Sequence, residues 1–420
     1  MSGDEESLPR PTPGPAWHSA LPDSTSCPFL RRHAPPDSTA TRRHLLKEPV
    51  NPVSHRSPLT TPLSRRHVLS TALGGTALLA LSACGATGSS SGSPASSGSA
   101  ASNPAGSGTA PTDSFPVSIT HAWGSTTIPK APTRIATTGW SGEDAVLALG
   151  VLPVGMPRAN YGQVDKNGML AWTARAVTKL GGTGDKLPKV YDETDSINTE
   201  AISDTEPDLI LGISSGVTKE QYATLSEIAP TIPYTSKIPW GATWRDVMRV
   251  TAKAMGRTSA GEKVIADCER TMVSAIAKYK GLKGRSAAVM WFDPKKLSTL
   301  TIYTTGDARP AYLTDLGFTT PASVAKQSQG AAFYKEISAE NADVYSDVDI
   351  IVSYGDPKTL LPLLQKDPLI SRIPAVKRGS VAVIEDNSEL ASAVSPSVLS
   401  IPSQVGPYAA ALARAAEKLS

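Results

Sequence analysis

Short β-branched runs alternate with helical patterns from about residue 115 to the end of the chain. The run 208–213 is apolar after its first residue, which is typical of a strand buried on both faces. Further strands are predicted at 134–138, 151–155, 231–234, 287–292, 349–353 and 381–384. Helices are predicted at 142–149, at 219–228, from 243 to about 280 with a break near Gly256, before Gly317, and at 405–419.

This alternation of strands and helices predicts the fold class. Strands that alternate with helices form parallel sheets covered on both faces. Two such sets joined by a long helix predict an α/β protein of two Rossmann-like lobes with mainly parallel sheets. We place the first lobe at 115–260, the linking helix at 261–283 and the second lobe at 284–420. Ligands bind such sheets at the carboxyl ends of the strands, so a cleft is expected there.

The most apolar segment lies upstream of the lobes. Arg65 and Arg66 precede the apolar run 72–81, and Ser82 and Ala83 stand before Cys84. A basic pair, an apolar run and small residues form a signal peptide, here 61–83, and the run is too short to span a bilayer permanently. Cys84 resembles the cysteine of a bacterial lipobox, which implies a lipid anchor on the outer face of the cell membrane.

Alternatives to this interpretation stay open. Cys84 could follow an ordinary signal peptide by accident, or the apolar run could be a short buried helix. The twin arginine fits either folded export or ordinary secretion. Residues 1–60 are rich in Pro, Ser, Thr and His and are predicted to be disordered, and we hypothesise that they are an untranslated upstream extension. Residues 84–114 comprise the lipidated cysteine and a flexible Gly/Ser/Ala/Pro tether, which gives the body about 30 Å of reach.

The excess of basic residues is confined to the segment before Cys84. Nine of the 41 Lys/Arg and six of the 38 Asp/Glu precede it, so the net charge of +3 belongs to that segment and the remainder carries 32 residues of each sign. Nucleic acids and anionic membrane surfaces attract proteins with a basic excess. We therefore expect no nucleic-acid partner, and the membrane is reached through lipid alone. A monomer is expected.

The numbers of histidines and cysteines argue against a binding site for free metal ions and against a catalytic centre. Five of the six histidines precede Cys84, which leaves His121. Zinc, manganese and copper sites need clustered imidazole or thiolate ligands, so no metal site and no directly bound cofactor is expected. Cys268 follows a helical stripe with Ile265 and Met272 and is interpreted as a core residue. An exported hydrolase is the rival class and would need a nucleophile paired with a base, but one histidine alone follows Cys84 and Cys268 is assigned to the core.

Aromatic and polar side chains lie at or just beyond the ends of the predicted strands. A cleft for an organic chelate needs aromatic faces and a few polar partners. Core packing is the alternative for each tryptophan, and it is favoured for Trp123, Trp172 and Trp244. Arg309 is the preferred cationic partner. The candidate ligand-binding residues are Trp140, Arg158, Tyr161, Ser214, Ser215, Trp240, Trp291, Arg309 and Tyr354, and Asp386 and Asn387 occupy an equivalent position.

Four collinear segments resemble a known family. The first two are 121–135, which contains a Trp-Gly hairpin, and 147–155. The third consists of 197–202, with the motif Asn-x-Glu-x-Ile, and 206–211, with Pro-Asp-Leu-Ile. The fourth is 213–222. These resemble the substrate-binding lipoproteins of ABC importers for siderophores. The resemblance implies the class III binding-protein fold, with two lobes and a rigid linking helix. It also implies capture of a ferric siderophore and its delivery to a permease dimer. Cobalamin or haem is the alternative cargo.

Two carboxylates gain a role from this resemblance. By motif position, Glu200 and Glu340 correspond to the family's glutamates that dock one lobe each onto arginines of the permease. Each lies in the first turn of a predicted helix, where a carboxylate is favourable by capping and dipole alone. Capping is therefore the alternative role for both residues.

Overall fold

The computed structural model describes residues 110–330 and 332–419, which belong to one compact unit. The strands are β1 Val117–His121, β2 Gly124–Ile128, β3 Ile135–Thr137, β4 Gly155–Pro157, β5 Lys189–Tyr191, β6 Leu209–Leu211, β7 Thr231–Ile232, β8 Ala287–Asp293, β9 Lys296–Tyr303, β10 Tyr334–Ser338, β11 Ile350–Gly355 and β12 Val381–Glu385. The helices are α1 Gly142–Ala148, α2 Ala171–Lys179, α3 Thr199–Ser203, α4 Lys219–Ile228, α5 Trp244–Ala254, α6 Thr258–Ile276, α7 Ala308–Asp315, α8 Ala322–Gln327, α9 Leu360–Lys366, α10 Pro374–Arg378, α11 Glu389–Ala393 and α12 Ser400–Ala416.

The first lobe is built on a five-stranded parallel sheet. Its strand order is β5-β4-β3-β6-β7, and all residues of β3 and β6 are buried. The chain runs outward from β3 to β5 and then returns to the other side of β3 with β6. The strand order therefore reverses between β3 and β6, which is the edge of such a sheet where ligands are expected to bind. The antiparallel hairpin of β1 and β2 precedes the sheet.

The second lobe contains a mixed sheet of order β10-β9-β8-β11-β12. The β8, β11 and β12 strands are parallel, whereas β9 pairs antiparallel with both β8 and β10. The sequence interpretation did not include β9, β10 or β5, and it placed the second strand at 151–155 instead of at Gly155–Pro157. A hairpin after β8 breaks the strand–helix alternation on which that interpretation depended. The two-lobed, mainly parallel α/β fold is confirmed.

The lobes are joined by α6, which begins three residues before the predicted 261 and ends at Ile276 instead of 283. It packs against α5 so closely that a Cβ atom at Gly261 would lie 2.4 Å from the Cβ atom of Ala252. On its other side α6 packs against α12. Cys268 lies in this core, where burial raises its pKa to about 12. One apolar cluster runs through both lobes and stiffens their connection.

Residues near 112 attach to the corner between α5 and α6. The amides of Thr112 and Asp113 donate to the carbonyl of Gly256 at 2.9 and 3.1 Å. The Asp113 carboxylate accepts from the amide and the hydroxyl of Thr258, at 3.1 and 2.6 Å. Arg257 at the N-cap position supplies no capping side chain, so Asp113 caps α6 from a distant part of the chain.

Several sequence interpretations fall on other parts of the chain. The segments 1–60 and 61–83, Cys84 and most of the tether lie outside the described residues. Within 110–330 and 332–419, we find no helix with the length and apolar character needed to cross a membrane.

Candidate functional site

A small recess lies between the lobes. It combines the β3 and β6 loops, the start of α7 and the loop before α12, and none of its described lining residues is charged. Those residues are Trp140, Ser141, Ala145, Ser214, Ala242, Trp244, Val247, Ala308, Ser395, Pro396, Ser397 and Val398. An uncharged wall with two indoles suits an organic ligand of low charge.

Trp140 is presented by a tight turn after β3. Gly139 has φ 85° and Ser141 has φ 52°, and the Trp140 amide donates to the carbonyl of Ser214 at 2.8 Å. A Cβ atom at position 139 would lie 2.4 Å from that same carbonyl oxygen. Only glycine fits this approach, so the sequence Thr-Gly-Trp fixes the turn against the β6 loop.

Trp240 approaches the same loop from the opposite side. Its amide donates to the carbonyl of Ser215 at 3.0 Å, and its backbone adopts φ 62°, which is strained for a bulky residue. Its indole packs on Gly216, and the residue is 38% exposed. The buried Ser215 hydroxyl donates to the carbonyl of Gly212 and thus stabilises the loop. The two tryptophans therefore flank one three-residue loop, 214–216.

A glutamate lies behind the Trp140 turn. Glu193, in the loop after β5, accepts from the Thr138 hydroxyl at 2.9 and 2.8 Å and from the Gly139 amide at 3.1 Å. Burial raises its pKa to about 7, although these hydrogen bonds act in the opposite direction. Sequence reasoning missed this residue, because the contact joins segments 54 positions apart.

A second buried carboxylate links the first lobe to the loop before α12. Asp144 accepts from the Trp172 indole and the Thr173 hydroxyl, both at 2.8 Å, and from the Ser397 hydroxyl. Burial raises the pKa of Asp144 to about 6. The adjacent Glu143 is also buried, and burial together with Asp144 raises its pKa well above the ordinary value.

In the second lobe, Arg309 is 3% exposed and paired. Asp307 accepts from its Nε and Nη2 atoms, both at 2.7 Å, and the guanidinium lies 3.7 Å from the centroid of the Tyr303 ring. Desolvation acts to lower the pKa of Arg309, but the Asp307 charge and hydrogen bonds together with Tyr303 and Tyr354 raise it above its ordinary value. The neighbouring Ala308 lines the recess. The predicted cation is therefore present, but its charge is balanced inside the protein.

The other predicted site residues have diverse surroundings. Tyr161 is buried and bonded to the second lobe, and its ring meets Tyr354 edge-on with centroids 6.2 Å apart. Trp291 is half-buried within β8, and Arg158 is exposed. The structure thus brings Trp140, Ser214, Ser215 and Trp240 together, with Arg309 beside the opposite wall. Ligand contact by any of the nine remains a prediction.

Of the tryptophans assigned to packing, Trp244 lines the recess while its indole donates to Asp315 at 2.8 Å. Trp123 donates to the carbonyl of Val217 at 2.9 Å. His121 lies in the hairpin, with its Nε2 atom 2.9 Å from the Thr126 hydroxyl. Among residues 110–330 and 332–419, no group of three or more His, Cys, Asp and Glu side chains is arranged to hold a metal ion.

Glu200 and Glu340 are both exposed, each in the first turn of a short helical segment. The N-cap role belongs to the preceding residues, because Asn198 accepts from Ala201 and Ser338 accepts from the Glu340 amide. Neither glutamate is required as the cap itself.

The fold and this recess define a two-lobed solute-binding protein. The periplasmic binding protein family matches residues 135–387, and the chain belongs to this family. Its members and structural neighbours are solute-binding proteins and not enzymes.

Three relatives illustrate the similarity. The chain is 28% identical over 243 residues to the probable siderophore-binding lipoprotein YfiY of Bacillus subtilis, covering 56% of this chain and 69% of YfiY. It is 27% identical over 258 residues to the Fe(3+)-citrate-binding protein YfmC of the same organism, covering 61% and 75%. The structure of Streptococcus pneumoniae PiaA in complex with ferrichrome is 41% identical, with a TM-score of 0.68, covering 72% of this chain and 99% of PiaA.

Proposed function

We propose that this protein captures a ferric siderophore outside the cytoplasmic membrane and delivers it to an ABC importer. The observation that carries the proposal is the recess between the lobes, with Trp140 and Trp244 in its wall and Trp240 beside it. Indole faces suit the organic shell of a chelate. The names of YfiY, YfmC and the PiaA–ferrichrome complex support the same class of cargo.

The charges around the recess favour an uncharged chelate. An anionic carboxylate or catecholate chelate leaves its charge buried unless a cation of the protein faces it. Arg309 is already neutralised by Asp307, and the described lining residues carry no charge. A ferric trihydroxamate, in which three hydroxamate anions balance Fe(III), meets this condition. Ferrichrome, the ligand of the PiaA complex, is therefore the first cargo to test.

Tryptophan-fluorescence titration of the full chain tests this function. We expect saturable binding of ferrichrome with submicromolar affinity and weaker binding of ferric citrate. Zinc chloride, haem and cobalamin serve as competitors, since each represents a different cargo class. Tight stoichiometric binding of zinc, or preference for haem or cobalamin over every ferric siderophore, would contradict the proposal.

Anchorage and docking complete the proposed cycle. Lipid on Cys84 would hold the protein at the outer face of the cell membrane, and Glu200 and Glu340 would each meet one subunit of a permease dimer. The protein would act as a monomer. Replacing Cys84 with serine should release the protein into the medium or leave an uncleaved precursor. Unchanged partitioning into detergent by this variant would refute the anchor.

A further inference from the structure

The carboxylate behind the Trp140 turn has an unusual set of donors. The hydroxyl of Thr138 and the amide of Gly139 both donate to Glu193. Both donors belong to the turn after β3, whereas Glu193 belongs to the loop after β5. One side chain therefore ties the turn that carries Trp140 to the neighbouring loop.

The turn depends on support from both sides. On the recess side, the Trp140 amide donates to Ser214, and on the far side the turn meets Glu193. Gly139 and Ser141 both adopt positive φ, so the backbone is held in a conformation that needs external contacts. Thr138 is 1% exposed, and its hydroxyl would lose its acceptor without the carboxylate.

We propose that Glu193 is a positioning residue for cargo binding, whose ionised carboxylate holds the turn that presents Trp140 to the recess. This inference rests on the proposed function of the recess. An ionised carboxylate accepts from both the Thr138 hydroxyl and the Gly139 amide, and hydrogen bonds to a charged acceptor are about twice as strong as neutral ones. A protonated acid can still accept from the Gly139 amide, but without the assistance of the negative charge, and the Thr138 hydroxyl must then accept from the acid instead of donating to it. Protonation therefore loosens the turn and weakens cargo binding.

The groups around Glu193 determine the pH range in which its carboxylate titrates. Burial, with a small contribution from the Asp192 carboxylate, raises its pKa to about 7. Two other neighbours interact with its charge: Glu143 on α1 and Tyr191 on β5, and the pKa of each is well above its ordinary value. Hydrogen bonding from Thr194 and, to a smaller extent, the charge of Arg158 lower the pKa of Asp192, so Asp192 does not titrate in this range.

Affinity and stability should respond to pH in opposite directions. If only the ionised form binds well, the apparent dissociation constant for the chelate scales with the inverse of the ionised fraction and rises about tenfold from pH 8 to pH 6. The folded protein without cargo binds the Glu193 proton more tightly than the unfolded chain does. Its free energy of unfolding should therefore fall as pH rises from 4.5 to about 7.

The test is a titration of the full chain with ferrichrome between pH 6 and pH 8, followed by tryptophan fluorescence. Its iron-bound hydroxamates do not titrate in this range. We expect about tenfold weaker binding by the unaltered protein at pH 6, and weak, pH-independent binding by Glu193→Gln. The matched control Asp192→Asn should keep the pH dependence with its midpoint moved to lower pH, because Asp192 raises the pKa of Glu193.

A second variant covers the case in which Glu193→Gln does not fold. Thr138→Val removes a hydrogen bond that lowers the pKa of Glu193, so it should move the midpoint to higher pH. A full pH dependence in Glu193→Gln would overturn the inference and point to Asp144. Binding by the unaltered protein with no pH dependence would also overturn it, while leaving the proposed function intact. If the protein bound no ferric chelate at any pH, that result would contradict both this inference and the proposed function.

Discussion

The hydroxyl of Tyr161 in the first lobe donates to the Asp386 carboxylate in the second lobe at 2.7 Å. The adjoining Gly162 amide donates to the Asn387 side chain at 2.8 Å, and the Ser392 hydroxyl donates to the Tyr161 carbonyl at 3.3 Å. The Asn387 amide also donates to the Tyr161 hydroxyl at 3.4 Å, so four hydrogen bonds cross between the lobes within a few residues. On this side the two lobes are joined by direct polar contacts in addition to the packing around α6.

The first prediction concerns this contact. Tyr161→Phe keeps the ring and removes the donor to a carboxylate, so the free energy of unfolding should fall by about 1.5–3 kcal/mol. Chemical denaturation measures the change. Tyr345→Phe is the matched control, because the buried Tyr345 hydroxyl has no hydrogen-bond partner among the described residues. Equal destabilisation by the two variants would show that the Tyr161 hydroxyl does not link the lobes.

The second prediction concerns the charge balance beside the recess. Asp307→Asn leaves the buried Arg309 guanidinium without its counter-charge, so the chelate preference should move toward an anionic cargo. We expect the ratio of affinities for ferric citrate and ferrichrome to rise at least tenfold, as measured by fluorescence titration. Thermal melting checks that the variant is folded.

Glu262→Gln is the control for that experiment, since it breaks an exposed ion pair with Arg249. It should leave the ratio of affinities unchanged. An unchanged ratio in a folded Asp307→Asn variant would mean that the Arg309 charge does not influence cargo choice.

The third prediction separates permease docking from cargo binding. Reversing both Glu200 and Glu340 to Lys should leave the affinity for ferrichrome nearly unchanged, because neither residue lines the recess. Uptake of iron-loaded ferrichrome by cells should fall sharply, since like charges across an interface are repulsive. A single reversal should have the smaller effect. Normal uptake per folded molecule in the double variant would contradict the docking role.

The fourth prediction concerns the distant cap of α6. Asp113→Ala removes the acceptor of the Thr258 amide, so the free energy of unfolding should fall by about 1 kcal/mol. These hydrogen bonds lower the pKa of Asp113 below its ordinary value of 3.8. Its stabilisation is therefore complete above pH 3.8 and is lost as pH falls through the lowered value. Denaturation at pH 7 and pH 3 should show a smaller difference between variant and parent at pH 3.

Much of the fold follows from local patterns in the sequence. The helix at 219–228 matches α4 to the residue, and the break near Gly256 separates α5 from α6. Gly256 adopts φ 66°, a conformation that ends a helix and that glycine allows. The family resemblance, carried by collinear motifs, is confirmed by the match over residues 135–387.

The parts that could not be predicted depend on contacts between distant segments. β5 has three residues, too few for a periodic signal, and its pairing with β4 becomes visible only in the sheet. Arg309 was expected to offer a free positive charge to the ligand, but Asp307 neutralises that charge. The presence of Asp307 two residues before Arg309 hinted at such a pair, although sequence spacing does not show which way the two side chains point. Glu193 gave none, because its donors lie more than 50 positions away.

The attachment of residues 112 and 113 to the α5–α6 corner has a mechanical consequence. Tension on the chain that precedes residue 112 enters the body through Gly256 and Thr258, at the first turn of the helix that both lobes share. None of the four residues that form this attachment, Thr112, Asp113, Gly256 and Thr258, lines the recess. A pull on the preceding chain is therefore received by the shared helix and not by the loops that form the recess.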